Sequence, residues 1–297
     1  MEALKGITLE VPKGEIFGYI GPNGAGKTTS LKILTGLITV FSGEAVIAGY
    51  SLKSAGREAQ GMIGYVPQDV GFQEWRRVDH ALKTFGELSG VAPGVIERRI
   101  TSVLERLSIA EHRRHKIVHL SGGTVQKIRI AQALLHDPEV LILDEPLSGL
   151  DPSSRFDVKK ILRELKSDGR TILLSSHILG DVEDVADRIG ILNDGVLKTC
   201  GTMEELQSKY QVGAAIEIAT DSNTAAQKAL ACIVGITGIE MINDSTMMIH
   251  LESSTDLDSV SREIQTVLFS ENILLRSFSH SAPSLEDVYL SLTSEEA

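Results

Sequence analysis

Short unbroken apolar runs alternate along this chain with segments whose apolar residues recur every three or four positions, the two periods that separate buried strands from helices. The run EIFGYI, residues 15 to 20, stops at Gly21, and TTSLKILTGL then sets Leu31, Leu34 and Leu37 at helical spacing. Strand, glycine loop and helix follow from that order. VIAGYSL and MIGYVPQ predict further short strands with turn residues between them. From about Asp69 to His136 the period turns helical, with VIERRITSVLERL amphipathic and APG before it as a break. Apolar runs return at VLIL, residues 140 to 143, and TILLSS, residues 171 to 176, with VKKILRELKSDG as a helix between them. Strands alternating with helices imply right-handed crossovers and a mainly parallel sheet buried on both faces. The expected class is therefore α/β, with a small antiparallel β subdomain and an all-helical insert over about residues 69 to 136.

Beyond Tyr210 the pattern changes again. AAIEIAT reads as a strand, NTAAQKALACIV as a helix, IEMIND and TMMIHLE as strands, LDSVSREIQTVLF as a helix and ILLRSFSH as a strand. This βαββαβ order suits a small split-βαβ, α+β domain. Charge marks the same boundary: residues 211 to 297 hold 13 Asp/Glu against 3 Lys/Arg, while residues 1 to 210 hold 27 against 26. Domains of 1–210 and 211–297 are expected. The overall charge of −11 argues against a nucleic-acid partner, which needs a clustered basic face. Cys200 and Cys232 are the only cysteines and lack metal-site spacing, which favours a reduced chain. The start, MEALKGITLEVPKGE, has no apolar core of a signal peptide, and no run reaches the ~18 apolar residues that span a bilayer. Any membrane spans must then come from another chain.

GPNGAGKT, residues 21 to 28, matches G-x-x-x-x-G-K-[ST] between a buried strand and a helix start. Its glycines let backbone N–H groups close around phosphates, so Gly21, Pro22, Asn23, Gly24, Ala25, Gly26, Lys27, Thr28 and Thr29 are the candidate ATP-binding residues. Lys27 supplies positive charge to the outer phosphates and the Thr28 hydroxyl can ligate Mg²⁺. LILDEP puts Asp144 at a strand end, where it would orient Mg²⁺ through its water shell, and Glu145 where it would activate the attacking water. A second anion site stands at LSGGT, residues 120 to 124, where a Ser-Gly-Gly step opens another helix.

GPNGAGKT and LILDEP together define a P-loop nucleotidase without naming its family. LSGG at 120 to 123, LILDEP about twenty residues on, SGLD at 148 to 151 and SSH ending at His177 together resemble the ATP-binding subunit of ABC transporters, over essentially residues 3 to 205. The resemblance implies further roles. Gln68, in YVPQD, matches the glutamine loop that approaches Mg²⁺ and water; with Glu145 and His177 it completes the catalytic set, and with Thr28 and Asp144 the metal set. His177 matches the switch histidine that contacts the γ-phosphate. Asp151 matches a loop that crosses between subunits, and Ser121, Gly122 and Gly123 match the signature that caps ATP held by a partner. The implied protein is an ATP hydrolase using ATP and Mg²⁺. It would pair with a second ATP-binding subunit and with a transmembrane permease subunit, peripherally on the cytoplasmic face of the cell membrane.

Two departures from the family pattern stand out. The family's adenine-stacking aromatic lies well before the phosphate loop, whereas this chain begins twenty residues before Gly21. Either the native start lies upstream or adenine is held loosely, with weak selectivity for ATP over GTP. Phe17 and Tyr19, on the strand entering the loop, are expected to pack in the core. Thr124 replaces the family's usual glutamine, which puts any reach to the partner's ribose in question. The tail SAPSLEDVYLSLT resembles that of multidrug and antibiotic exporters; read from its residues alone it is an amphipathic helix capped by Ser284, with Leu285, Val288 and Leu292 inward. A soluble ABC-class ATPase acting on ribosomes or nucleic acid is the alternative, and the acidic C-terminal domain would regulate the ATPase, stabilise the dimer or only keep it solvated.

Overall fold

The computed structural model describes residues 2 to 68, 72 to 210, 214 to 243, 246 to 252, 255 to 281 and 284 to 294. Asp69, where the helical insert was expected to begin, and Gln211, the expected start of the C-terminal domain, lie outside the described residues. The chain divides into two compact units, Met1–Thr202 and Met203–Ala297.

The first unit runs through β1 (Ile16–Ile20), α1 (Lys27–Leu34), a hairpin of β2 (Val46–Ile47) and β3 (Tyr50–Ser51), α2 (Gly56–Gly61) and β4 (Ile63–Val66). Helices α3 (Val78–Leu88), α4 (Pro93–Arg106) and α5 (Gly122–Leu134) fill the segment whose period is helical. Then come β5 (Val140–Leu143), α6 (Pro152–Ser167), β6 (Thr171–Ser176), α7 (Leu179–Glu183), β7 (Arg188–Asn193) and β8 (Val196–Gly201). Six strands form one sheet in the order β4-β5-β6-β1-β7-β8, parallel at every pairing except β7 with β8. Every residue of β1 and β6 is buried, which is why their sequences are continuous apolar runs rather than alternating ones. Phe17 and Tyr19 are both core residues, with 0% and 1% exposure. The antiparallel element outside this sheet is the short β2–β3 hairpin, while MIGYVPQ becomes β4 and joins the main sheet at its edge. APG, read as a break, supplies Pro93 as the first residue of α4, a position where proline's missing N–H costs nothing.

The second unit contains α8 (Met203–Lys209), β9 (Ala215–Thr220), α9 (Asn223–Leu230), β10 (Ile236–Asn243), β11 (Thr246–Leu251), α10 (Leu257–Ser270), β12 (Leu275–Ser281) and α11 (Leu285–Ser294). Its sheet order is β10-β11-β9-β12 with antiparallel pairings, so β11 lies between the two strands that α9 connects, the split-βαβ arrangement. Ile216, Ile218, Met247 and Ile249 on the sheet pack with Leu230, Ile264 and Leu268 on the helices. Alternate residues of β9 and β11 are buried, which matches a sheet covered by helices on one face. Ser284 and Asp287 satisfy each other's backbone N–H at the start of α11, and Leu285, Val288 and Leu292 are buried. The charge step at residue 211 falls after α8, whereas the compact unit begins at Met203 because α8 packs on α11. Among the described residues no helix is long and apolar enough to cross a membrane.

Candidate active site

The loop of residues 21 to 28 joins β1 to α1 at the carboxyl end of the parallel strands. Gly26, the N-cap of α1, has φ +107°, and a Cβ there would lie 2.6 Å from Leu4 Cδ2 and 3.0 Å from the Ala3 carbonyl oxygen, so only glycine fits. Pro22, Asn23 and Gly24 are exposed on the loop, while Gly21, Ala25 and Lys27 are buried and Thr28 and Thr29 half-buried. Lys27 begins the helix and turns its ammonium into the loop. Its Nζ donates to the Gly21 carbonyl at 2.5 Å and to that of Pro22 at 3.2 Å, and lies 3.8 Å from Glu145 Oε1. Burial pulls the Lys27 ammonium below its ordinary pKa, against the opposing pull of the Glu145 and Asp144 carboxylates.

Asp144 and Glu145 follow β5, which lies beside β6, and the sheet brings β6's last residues alongside them. Ser175, on β6 and fully buried, donates through Oγ to Asp144 Oδ1 at 2.6 Å and accepts the Glu145 N–H at 3.0 Å. Thr28 Oγ1 donates to the same Asp144 oxygen at 3.4 Å. Asp144 Oδ2 is buried with no hydrogen-bond partner, an acceptor oxygen left over beside the loop. Glu145 has φ +50°, a left-handed conformation that costs a non-glycine residue roughly 1–2 kcal/mol and here turns the carboxylate toward the lysine. Its Oε2 is 2.8 Å from His177 Nδ1, so one carboxylate bridges the ammonium and the imidazole. Tyr65, on β4, has its hydroxyl pushed up to about 12, first by burial and then by the Asp144 charge. A buried carboxylate with a histidine on one side and a lysine on the other can take a proton from water while the lysine holds neighbouring negative charge.

A second group lies at the start of α5. Ser121 caps that helix, its Oγ accepting the Thr124 N–H at 3.2 Å, and the Thr124 hydroxyl is 3.0 Å from the same atom. Ser121 and Gly122 are exposed. Asp151 caps α6: its Oδ1 accepts the Ser154 N–H at 3.0 Å and its Oδ2 the Ser154 hydroxyl at 2.6 Å, which together hold its carboxyl below the usual range. Among the described residues, no hydrogen bond or ion pair joins Ser121 to Thr124 or Asp151 with Lys27, Thr28, Glu145 or His177. Gln68 is exposed just beyond β4, at the strand end next to Asp144, and makes no hydrogen bond to Thr28, Asp144 or Glu145 among the described residues.

Sequence reasoning passed over Ser175 and Ser154. The signal for Ser175 was a hydroxyl in the last turn of an apolar strand directly before His177; for Ser154 it was a hydroxyl three residues after a capping aspartate.

A family model described as ABC transporter matches residues 4–148. The linearmycin resistance ATP-binding protein LnrL of Bacillus subtilis (strain 168) is 34% identical over 295 residues, covering 98% of this chain and 93% of the relative. Among solved structures, an ATP-binding subunit of an ABC transporter is similar with a TM-score of 0.63 and 31% identity over 70% of this chain and 87% of that one. The ADP conformation of an ATP-binding cassette of an ABC transporter gives 0.61 and 26% over 68% and 86%. With the phosphate loop, the paired carboxylates and the fold in place, the chain belongs to the ATP-binding proteins of ABC transporters and is a nucleotide-binding P-loop ATPase.

Proposed function

We propose that this chain is the ATP-hydrolysing subunit of an exporter, driven by ATP-dependent dimerisation and coupled to a separate membrane-spanning subunit. The observation that carries the reading is that one chain holds two anion-binding helix starts and, among the described residues, no hydrogen bond or ion pair joins them. The cluster of Lys27, Glu145 and His177 is tied together by contacts of 3.8 and 2.8 Å. The Ser121–Gly122 helix start is exposed and, among the described residues, makes no hydrogen bond to that cluster. Pairing two copies head to tail would place each signature over the other copy's phosphate loop, closing two equal sites. Export is supported by the antibiotic resistance named for the LnrL relative and by the tail ending in α11.

In this reading Lys27 exchanges its two loop carbonyls for phosphate oxygens, Glu145 takes the proton of the attacking water, and His177 keeps the Glu145 carboxylate oriented while reaching the γ-phosphate. Asp144, with its unpartnered Oδ2, and the Thr28 hydroxyl fit the oxygen-donor needs of a magnesium ion, and Gln68 would complete that set after moving inward. A magnesium ion held there would neutralise negative charge on the phosphates. Asp151 would meet the second subunit beside its signature.

The helical insert carries an open cleft of about 500 Å³ whose walls include Trp75, Arg76, Lys83 and Lys116. Trp75 is 68% exposed with the Arg76 guanidinium over its ring at 5.3 Å. We assign this cleft to a cytoplasmic segment of the membrane subunit, through which closure of the dimer is transmitted.

Glu145→Gln tests the mechanism. It should bind ATP, form a stable ATP-dependent dimer on size-exclusion chromatography and turn over at about 10²-fold below wild type or less. Unchanged turnover would remove Glu145 from its role, and a monomer at saturating ATP would remove the dimer.

A further inference from the structure

Helices α5 and α6 pack together, and at their first turns Gly123 lies against Ser154. A Cβ at Gly123 would lie 2.0 Å from Ser154 Oγ and 2.6 Å from Ser154 Cβ, distances no real side chain adopts. Gly123 is therefore the seat of the Ser154 hydroxymethyl group. One turn further along both helices, Lys127 Nζ meets Asp157 Oδ2 at 2.7 Å, so the same two faces are joined again by an ion pair. Ser154 itself has no freedom: its N–H and hydroxyl occupy the two carboxylate oxygens of Asp151. A glycine of the signature and the aspartate ahead of α6 are thus connected through a single side chain, although 28 positions separate them.

We propose that Ser154 is a positioning residue that locks the signature loop to Asp151, so that the two features offered to a second subunit move as one rigid surface. The inference rests on the dimer reading above. A plain helix cap does not require it: the Ser154 N–H alone satisfies the cap through Asp151 Oδ1, and the hydroxyl's bond to Oδ2 adds only the fixed orientation of the carboxylate. Nor does a plain cap require the residue to fill the space above Gly123. Rigidity matters because a surface that must be ordered at the moment of association binds more weakly than one ordered beforehand.

The test uses the full chain carrying Glu145→Gln, with the protein concentration at half-dimerisation measured by analytical ultracentrifugation at saturating ATP. Fluorescent-nucleotide affinity is measured separately at concentrations where the chain is monomeric. Ser154→Ala should raise the half-dimerisation concentration about tenfold, the size of one lost hydrogen bond to a charged group. Monomer nucleotide affinity should stay within about twofold, since no phosphate-loop contact is touched. Gly123→Ala should weaken dimerisation at least as much, by pushing Ser154 from its seat. Asp151→Ala, which also removes the group that would meet the second subunit, should weaken dimerisation at least as much as Ser154→Ala, and the double variant should be no weaker than Asp151→Ala alone, because the serine then has nothing to orient.

If Glu145→Gln dimerises with ATP but Ser154→Ala dimerises at the same concentration, or the double variant is additive, Ser154 is a cap and nothing more. If Glu145→Gln itself stays monomeric, the dimer reading falls and this inference with it.

Discussion

The two glycine-rich helix starts of the first unit, at residues 21 to 28 and 120 to 124, obey the same local chemistry and end in opposite surroundings. Each points backbone N–H groups and a helix dipole outward, which favours anions. At the first, strand order brings β5 and β6 alongside, so Lys27 is 6% exposed and linked to Glu145, and through it to His177. At the second, Ser121 and Gly122 stand exposed and Ser121 is bonded, among the described residues, within its own helix start, through Oγ to Thr124 and through its carbonyl to Val125. An anion site needs more than a helix start to do chemistry: it needs charge and proton acceptors delivered from other elements. The phosphate loop has them within its chain and the signature does not.

That contrast can be broken experimentally, and its largest consequence concerns the buried lysine. Lys27→Ala should lower phosphate release by about 10³-fold, the effect of removing a preorganised charge from a reacting phosphate. Activity within tenfold of wild type would make the loop no more chemical than the signature. His177→Ala comes next, with turnover about 10²-fold lower and nucleotide affinity nearly unchanged, since the 2.8 Å contact is to Glu145 rather than to the loop. A drop in affinity equal to the drop in turnover would instead assign the histidine to binding.

Ser121→Ala is smaller and more discriminating. It should cost turnover about tenfold, one hydrogen bond to a phosphate, with monomer nucleotide binding intact. Mixing inactive Lys27→Ala chains with strongly impaired signature chains should then restore activity, up to about a quarter of wild type, because half of a random mixture is heterodimer with one sound site in two. No recovery would mean that the signature serves its own chain.

The smallest effect probes the environment rather than the chemistry. The Tyr65 hydroxyl has its pKa raised from 10.0 to about 12, so its contribution to stability is complete below pH 10 and is lost as pH rises through about 12. Chemical denaturation at about pH 9 and about pH 11 should therefore show wild type losing more stability over that interval than Tyr65→Phe. Equal losses would say that the surroundings of Asp144 are as solvated as those of the signature.

Much of the fold was readable because its signals are local. EIFGYI, VLIL and TILLSS are apolar without alternation, which only a sheet covered on both faces explains, and the βαββαβ order beyond Tyr210 matches the strands and helices residue run by residue run. The charge step at residue 211 and the start of the second compact unit at Met203 lie one short helix apart, because α8 packs on α11 and packing leaves no mark on net charge. The phosphate loop, the paired carboxylates and the Ser284 cap were likewise written in short stretches, each a few residues long.

What the sequence determined by itself was therefore every feature whose cause lies within one turn or one strand: the period of the elements, the glycines at φ near +100°, the helix caps and the residue types at the loop. Tertiary structure alone decided which of them meet. Strand order put Ser175 between Asp144 and Glu145, a left-handed Glu145 turned its carboxylate onto Lys27 and His177, and the close approach of α5 to α6 seated Ser154 on Gly123. Those contacts join residues from 30 to 118 positions apart, and no local propensity encodes a pairing at that distance; the packing of the sheet and its helices does.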